Sequence, residues 1–315
     1  MAGTRVKRHT LLAALAAVAL GSPASAQQVH LLIITGLSGE PQYRVAFHRA
    51  ASELYDAATT KWGVTKQQIA YLAEDPAIDA TRITGRATRE EVERAFLGAA
   101  QRAAPGDIVF VFLIGHGSGQ GIESAVNLSG RDPTAGDYAT WISGFARQTV
   151  VFVNASSASG DFVGALQGPA RVIVTATRTS MERNESIFAQ HFARGLASGE
   201  ADADKDERVS VFEAFDFARK EVVRVYETEK KLLTEHAVVS DTALASTIVL
   251  GGIPVNNDPR VAALVAERRV LEESLTALRA RKDSMDTAEY ERELERLLIA
   301  IAEKSVAIRA LGGRE

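Results

Sequence analysis

Residues 108–119 read Ile-Val-Phe-Val-Phe-Leu-Ile-Gly-His-Gly-Ser-Gly. The first seven are apolar without interruption, which is typical of a β-strand buried on both faces of a parallel sheet. The strand runs directly into a glycine-rich turn, so His116 lies at its carboxyl end. Because ligands of open parallel sheets bind at that edge, we expect His116 to lie in a functional site.

Working outward from this stretch, short apolar runs alternate with longer segments of helical period. The runs predict further strands at 30–35, 69–72, 150–153, 172–175 and 248–250. The helical segments lie at about 41–61, 88–104, 134–147, 184–198 and 210–231, and Thr88 with Glu91 forms a capping-box pattern. The alternation predicts an α/β fold, a three-layer sandwich with a mainly parallel six-stranded sheet.

The amino terminus predicts export. Residues 1–26 combine three basic residues, an apolar run and a final Ala-Ser-Ala, the pattern of a secretory signal peptide. No later run approaches 18 apolar residues, so we expect no membrane span and a periplasmic or secreted protein. Residues 27–315 carry 33 basic and 40 acidic residues, a net charge of −7 that argues against a nucleic-acid partner.

Composition also changes near the carboxyl terminus. We assign residues 27–252 to the α/β domain, 253–259 to a linker and 260–315 to a helical hairpin that turns near 283–287. The apolar residues of the hairpin recur at spacings of three and four, as in a coiled coil. The hairpin either packs on itself or its own domain, or provides a surface for a dimer or another partner, because two helices alone have little core.

A second segment of candidate chemistry follows the predicted strand 150–153. It reads Asn154-Ala-Ser-Ser-Ala-Ser-Gly160, so small and hydroxyl side chains are expected beside His116 at the same edge of the sheet. Alternatively, the segment is only a tight strand-to-helix turn with a serine at the helix N-cap.

The two segments resemble the caspase, legumain and gingipain clan of cysteine peptidases, in which one strand ends in His-Gly and the next in small-Cys-x-Ser-Gly. Arg171-Val-Ile-Val-Thr-Ala-Thr177 on the next strand is similar to the bacterial legumain-like branch. The resemblance implies a caspase-like fold, with His116 as the catalytic histidine and the N–H of Gly117 as an oxyanion donor. Alignment on Ser159-Gly160 places Ser157 at the nucleophile, whereas alignment on Ala155 nominates Ser156.

The chain has no cysteine, so thiol chemistry is excluded. A serine hydroxyl needs a closely hydrogen-bonded base, and the sequence shows no carboxylate that would orient the histidine. We therefore expect a domain without peptidase activity that binds a protein or peptide or acts in regulation. Two alternatives remain: a hydrolase that uses Ser157 with His116, and a structural protein of the cell envelope.

Residues 202–213 resemble an EF-hand calcium loop between two predicted helices. The expected ligands are the side chains of Asp202, Asp204, Asp206, Ser210 and Glu213 and the backbone carbonyl of Arg208, at loop positions 1, 3, 5, 9, 12 and 7. Glu207 departs from the pattern, since glycine normally makes the turn at position 6. The hypothesis is a structural calcium ion; the alternative is a solvated acidic helix start.

Overall fold

The structure is a computed structural model that describes residues 27–250 and 259–311. Its strands, in chain order, are β1 (Val29–Thr35), β2 (Ile69–Ala73), β3 (Gly85–Arg86), β4 (Ile108–Ile114), β5 (Gly117–Ser118), β6 (Ala125–Val126), β7 (Thr149–Asn154), β8 (Arg171–Thr175) and β9 (Val238–Val239). The signal peptide predicted for residues 1–26 and nearly all of the predicted linker lie outside the described residues.

Seven of these strands form one sheet in the order β3-β2-β1-β4-β7-β8-β9. All neighbouring pairs are parallel except β8 and β9. Strands β5 and β6 form a separate antiparallel pair. The prediction of a mainly parallel sheet is therefore confirmed, whereas the predicted count of six strands is wrong.

The count differs because two strands of two residues each, β3 and β9, were not predicted, whereas the strand predicted at residues 248–250 does not form. Val249 makes only an isolated antiparallel bridge with Ser210. Ile248 and Leu250 are nevertheless buried in the core, which explains why the segment is apolar. An apolar run indicates burial, and these residues are buried in the core without forming part of the sheet.

The helices are α1 (Pro41–Thr60), α2 (Arg89–Arg102), α3 (Ala135–Ile142), α4 (Phe162–Leu166), α5 (Phe188–Ser198), α6 (Val211–Thr228), α7 (Thr242–Thr247), α8 (Pro259–Ala280) and α9 (Thr287–Ala310). Thr88 caps α2 by accepting the N–H of Glu91 at 3.3 Å, which confirms the N-cap of the predicted capping box; its other half does not form, because the N–H of Thr88 donates to the carbonyl of Arg86 at 2.9 Å. Two predictions ran too long: α3 ends at Ile142 instead of 147, and α5 begins at Phe188 instead of 184.

Helices cover both faces of the sheet, which is compatible with a three-layer sandwich. Leu31 and Ile33 of β1 pack with α1, α5 and α6, whereas Leu32 and Ile34 pack with α2, α3 and α4. Successive side chains of a strand point to opposite faces, so an uninterrupted apolar strand supplies both cores. Each such side chain contributes roughly 1.5–3 kcal/mol when fully buried.

Helices α8 and α9 pack against each other and are joined by a short turn at Lys282–Ser284. The ammonium of Lys304 on α9 pairs with Glu267 on α8 at 2.6 Å, so the chain doubles back at the turn. The side chains of Val261, Leu278, Leu297 and Ile308 are buried. Within residues 27–250 and 259–311, no helix combines the length and apolarity needed to cross a bilayer.

Candidate functional site

The site lies at the carboxyl edge of the sheet, where the order of the strands reverses. From β1 the chain first moves outward to β2 and then crosses to β4 on the other side of β1. The loops after β1 and β4 meet at this point, where the N–H of Gly36 donates to the carbonyl of Ile114 at 2.8 Å. Such a switch point is the usual place for a ligand in an open parallel sheet, and we call the part-exposed surface of His116, Tyr43 and Glu185 beside it the crevice.

His116 lies in this crevice and is held in a fixed orientation. Its Nε2–H donates to the carbonyl oxygen of Ser38, in the loop after β1, at 3.1 Å. The ring contacts Tyr43 edge-on and Phe47 at a tilt, with centroid distances of 5.3 and 5.4 Å. The side chain is 28% exposed, so solvent reaches it. The predicted place of His116 at the strand end agrees with this geometry.

The other ring nitrogen of His116 faces a carboxylate that sequence reasoning missed. Nδ1 lies 3.9 Å from Oε2 of Glu185, in the loop between β8 and α5. Burial raises the pKa of the Glu185 carboxyl, partly offset by His116 and by a hydrogen bond from Tyr43. Glu185 is thus a carboxylate that the sequence did not identify, but 3.9 Å is too long for a hydrogen bond that would orient the ring.

Ser157 contacts the glycine next to His116, but not the imidazole. Its hydroxyl oxygen accepts the backbone N–H of Gly117 at 3.2 Å, and the residue is 2% exposed. A β-carbon at Gly117 would overlap the carbonyl oxygen of Ser157, so only glycine permits this close approach. The donor expected to bind an oxyanion is therefore engaged by the serine itself.

Ser156, the alternative nucleophile, is enclosed at the tip of β7. Its backbone N–H and its hydroxyl both donate to Oδ1 of Asn154, at 3.1 and 2.6 Å, and the residue has no exposed surface. The next turn places Ala158 at φ +53°, a left-handed conformation that turns the chain away from the strand. Both serines approach Gly117: its N–H donates to the hydroxyl of Ser157, and the hydroxyl oxygen of Ser156 lies 3.2 Å from the position that a β-carbon on Gly117 would take.

This arrangement lacks the contact on which serine chemistry depends. A serine nucleophile and its base normally lie within about 2.6–3.2 Å of each other. No hydrogen bond joins Ser157 to His116, although both residues belong to the described part of the chain. The crevice instead offers an oriented imidazole, a half-buried carboxylate and two aromatic rings, which are groups suited to binding.

The acidic loop between α5 and α6 brings three of the six predicted metal ligands together. One carboxylate oxygen from each of Asp202, Asp204 and Asp206 lies within 4.8 Å of the others. Glu213, in the first turn of α6, reaches back and accepts the N–H of Ala203 at 2.9 Å. Its other oxygen accepts the hydroxyl of Ser210 at 2.8 Å.

Electrostatics at this loop favour a cation. Burial, followed by repulsion from Asp204, raises the pKa of Asp206 to about 6. The pKa of Asp204 is also raised, by burial first and then by Glu213. Ionised carboxylates this close repel one another, and the oxygen-only donor set matches the preference of calcium. The residues therefore fit a calcium ion.

The departure at position 6 is visible in the backbone. Glu207 has φ +66°, the left-handed conformation that EF-hand loops usually assign to glycine. Its N–H donates to Oδ2 of Asp202 at 3.1 Å, and the N–H of Arg208 donates to Asp206 at 2.9 Å. Glu207 thus makes the turn despite its side chain.

No protein-family model matches this sequence, and no curated protein matches it at a significant level.

Proposed function

We propose that this chain is an exported protein of caspase/legumain-like architecture that recognises a protein or peptide at the carboxyl edge of its sheet without hydrolysing it. The proposal draws on the His-Gly and Ser-x-Ser-Gly motifs, on the strand order and on the crevice around His116. Export remains the expectation from residues 1–26.

The main support for a site without hydrolysis is the orientation of the His116 ring. The Nε2–H of His116 donates to Ser38 and its Nδ1 faces Glu185, so neither ring nitrogen is directed at Ser157. Ser157 in turn accepts the N–H of Gly117, the group that would stabilise an oxyanion. The residues that match the base, the nucleophile and the oxyanion donor lie at one edge of the sheet, but Ser157 and Gly117 bond each other while His116 bonds Ser38.

A serine-directed fluorophosphonate probe tests this proposal against its rival, a hydrolase using Ser157 and His116. We expect no labelling of the mature chain. Labelling that disappears in both Ser157→Ala and His116→Ala would establish the hydrolase instead. His48→Ala is the matched control, because His48 is also 28% exposed but bonds the hydroxyl of Tyr71 and faces Asp79 instead of Ser38 and Glu185.

Peptide recognition needs a separate measurement. A peptide library selected on the mature chain should enrich a motif, and the selected peptides should bind Tyr43→Ala more weakly because Tyr43 packs against His116. Equal binding to the wild type, Tyr43→Ala and the His48→Ala control would place recognition elsewhere on the molecule.

We further propose that the 202–213 loop binds calcium with a structural role. The support is the convergence of Asp202, Asp204 and Asp206, closed by Glu213 from the next helix. Extracellular modules bind calcium with Kd on the order of 10⁻⁴–10⁻³ M, so even a weak site would be filled outside the cytoplasm. A bound ion would hold the start of α6 against the end of α5.

The hairpin of α8 and α9 offers a contact for a dimer or another partner. Val270, Ile299 and Val306 are between 52% and 60% exposed along it. If the protein is instead a structural component of the envelope, removing residues 260–315 should abolish its association in light scattering, whereas substitutions at His116 should leave it intact. Association that survives the deletion would exclude the hairpin as the contact.

A further inference from the structure

The loop of residues 176–187, between β8 and α5, covers one side of His116. Its Glu185 lies 3.9 Å from Nδ1, which is the ring nitrogen that Ser38 does not engage. The two side chains are 30% and 28% exposed, so each shields part of the other from solvent. A ligand that needs Nδ1 must therefore displace Glu185.

Three consecutive residues, Thr234, Glu235 and His236, hold this loop in place, and we name them the 234–236 clamp. The backbone N–H and the Nδ1–H of His236 donate to the two carboxylate oxygens of Glu182, at 3.0 and 3.1 Å. The hydroxyl of Thr234 accepts the side-chain amide of Asn184 at 2.9 Å.

Glu235 makes the third contact of the clamp, on the far side of Glu185. Its carboxylate accepts the hydroxyl of Ser186 at 2.6 Å and the N–H groups of Ile187 and Phe188 at 3.1 and 2.9 Å. Glu235 is 3% exposed, so this end of the clamp is buried and stays closed. The His236 end is part-exposed and can open without disturbing the core.

The clamp therefore sets the position of Glu185 from both sides. Glu185 itself makes no hydrogen bond to His116, because 3.9 Å exceeds hydrogen-bond range. The backbone N–H of Ala158, next to Ser157, donates to the carbonyl of Glu182 at 2.8 Å and ties the loop to the tip of β7. Loop, clamp and site consequently form one hydrogen-bonded unit.

We propose that the 176–187 loop is an autoinhibitory wall: the 234–236 clamp holds Glu185 over His116, and opening the clamp admits the ligand. This regulation rests on the proposed function, since it assumes that the crevice receives a ligand. The partner or condition that competes for the Glu182–His236 pair would control access.

Carbethoxylation of histidines by diethyl pyrocarbonate, followed residue by residue by mass spectrometry, tests the proposal without any ligand. In the full mature chain, the rate at His116 should rise about tenfold in Glu185→Ala and in His236→Ala, which corresponds to about 1.4 kcal/mol in the closed-to-open equilibrium. His48, equally exposed at 28%, is the internal reference and should react at an unchanged rate. Glu229→Ala, which removes an exposed carboxylate near the clamp, should change neither rate.

An unchanged rate at His116 in both variants would overturn the proposal. So would a parallel rise at His116 and His48, because it would report general loosening instead of an opened wall. The readout is independent of the proposed function. Fluorophosphonate labelling of the wild type would refute that function while leaving the carbethoxylation result interpretable.

Discussion

The left-handed turn at Glu207 makes a quantitative prediction about the acidic loop. A non-glycine residue in this conformation costs about 1–2 kcal/mol, and Glu207 has φ +66°. Glu207→Gly removes that cost but adds about 0.5–1 kcal/mol of backbone entropy in the unfolded chain. The N–H that bonds Asp202 belongs to the backbone and is retained. We expect a net gain of about 0.5–1 kcal/mol.

Thermal melting without calcium measures this gain in stability. Each kcal/mol gained should raise Tm by roughly 2–4 °C for a domain of this size. Glu207→Gln separates the two causes, because it removes the exposed charge while keeping the β-carbon, and should change Tm little. Lys205→Gly is a second comparison: Lys205 has φ +63°, but this substitution also removes the bond from its ammonium to the carbonyl of Asp202, so its gain should be smaller.

The reasoning would be refuted if Glu207→Gly melted no higher than Glu207→Gln. A lower Tm than the wild type would also refute it, because the strained turn would then not be the conformation of the folded loop. A gain in Glu207→Gly alone would trace the effect to position 6 of the loop instead of to backbone relief in general.

Three further predictions concern the metal, the close approach at the site and a buried carboxylate. Calcium at 2 mM should stabilise the chain by about 1.8 kcal/mol if Kd is on the order of 10⁻⁴ M, and a melting scan with chelator should show that this stabilisation is lost. Asp202→Ala should abolish the shift in Tm, and a full shift in that variant would contradict the assigned ligands. Gly117→Ala should destabilise the fold by about 1–3 kcal/mol in urea unfolding, because the new methyl group meets the backbone of Ser157. Gly164→Ala, whose methyl group would face open space on a helix, should not destabilise it, and equal effects of the two substitutions would disprove the close approach. Burial raises the pKa of Glu235 to about 7, so its stabilising contribution is complete below about pH 4.5 and is lost as the pH rises through 7. In urea unfolding, the free energy of unfolding of Glu235→Gln should decline less between pH 5 and 8 than that of the wild type. Identical declines would exclude this carboxyl as the cause.

The long strands were predictable from the sequence and the short ones were not. Five apolar runs predicted strands because a strand buried on both faces must be apolar throughout. Strands Gly85–Arg86 and Val238–Val239 are two residues long, too short to show any period. Residues 248–250 were wrongly predicted to form a strand, because a segment that is buried in the core outside the sheet has the same apolar composition as a buried strand.

The site was predictable where it depends on strand ends. His116 and Ser157 follow two neighbouring parallel strands, so their proximity follows from topology alone. Glu185 gave no local signal, because its position is set by contacts between its loop and residues about 50 positions later along the chain. Contacts between loops depend on tertiary packing, which periodicity does not report.

Two separate contacts keep the side chains of Ser157 and His116 from the arrangement that hydrolysis needs. The hydroxyl of Ser157 is bound to the N–H of Gly117, and Nδ1 of His116 faces Glu185. Replacing the hydroxyl by a thiol would weaken the first contact, since a thiol is a weak acceptor, but would leave Glu185 beside the imidazole. Opening the loop would free the imidazole but leave the serine without a base within hydrogen-bond range. Because neither change restores the other, a thiol at position 157 alone would not complete the contacts that hydrolysis needs, which supports the proposal that this surface binds a protein or peptide.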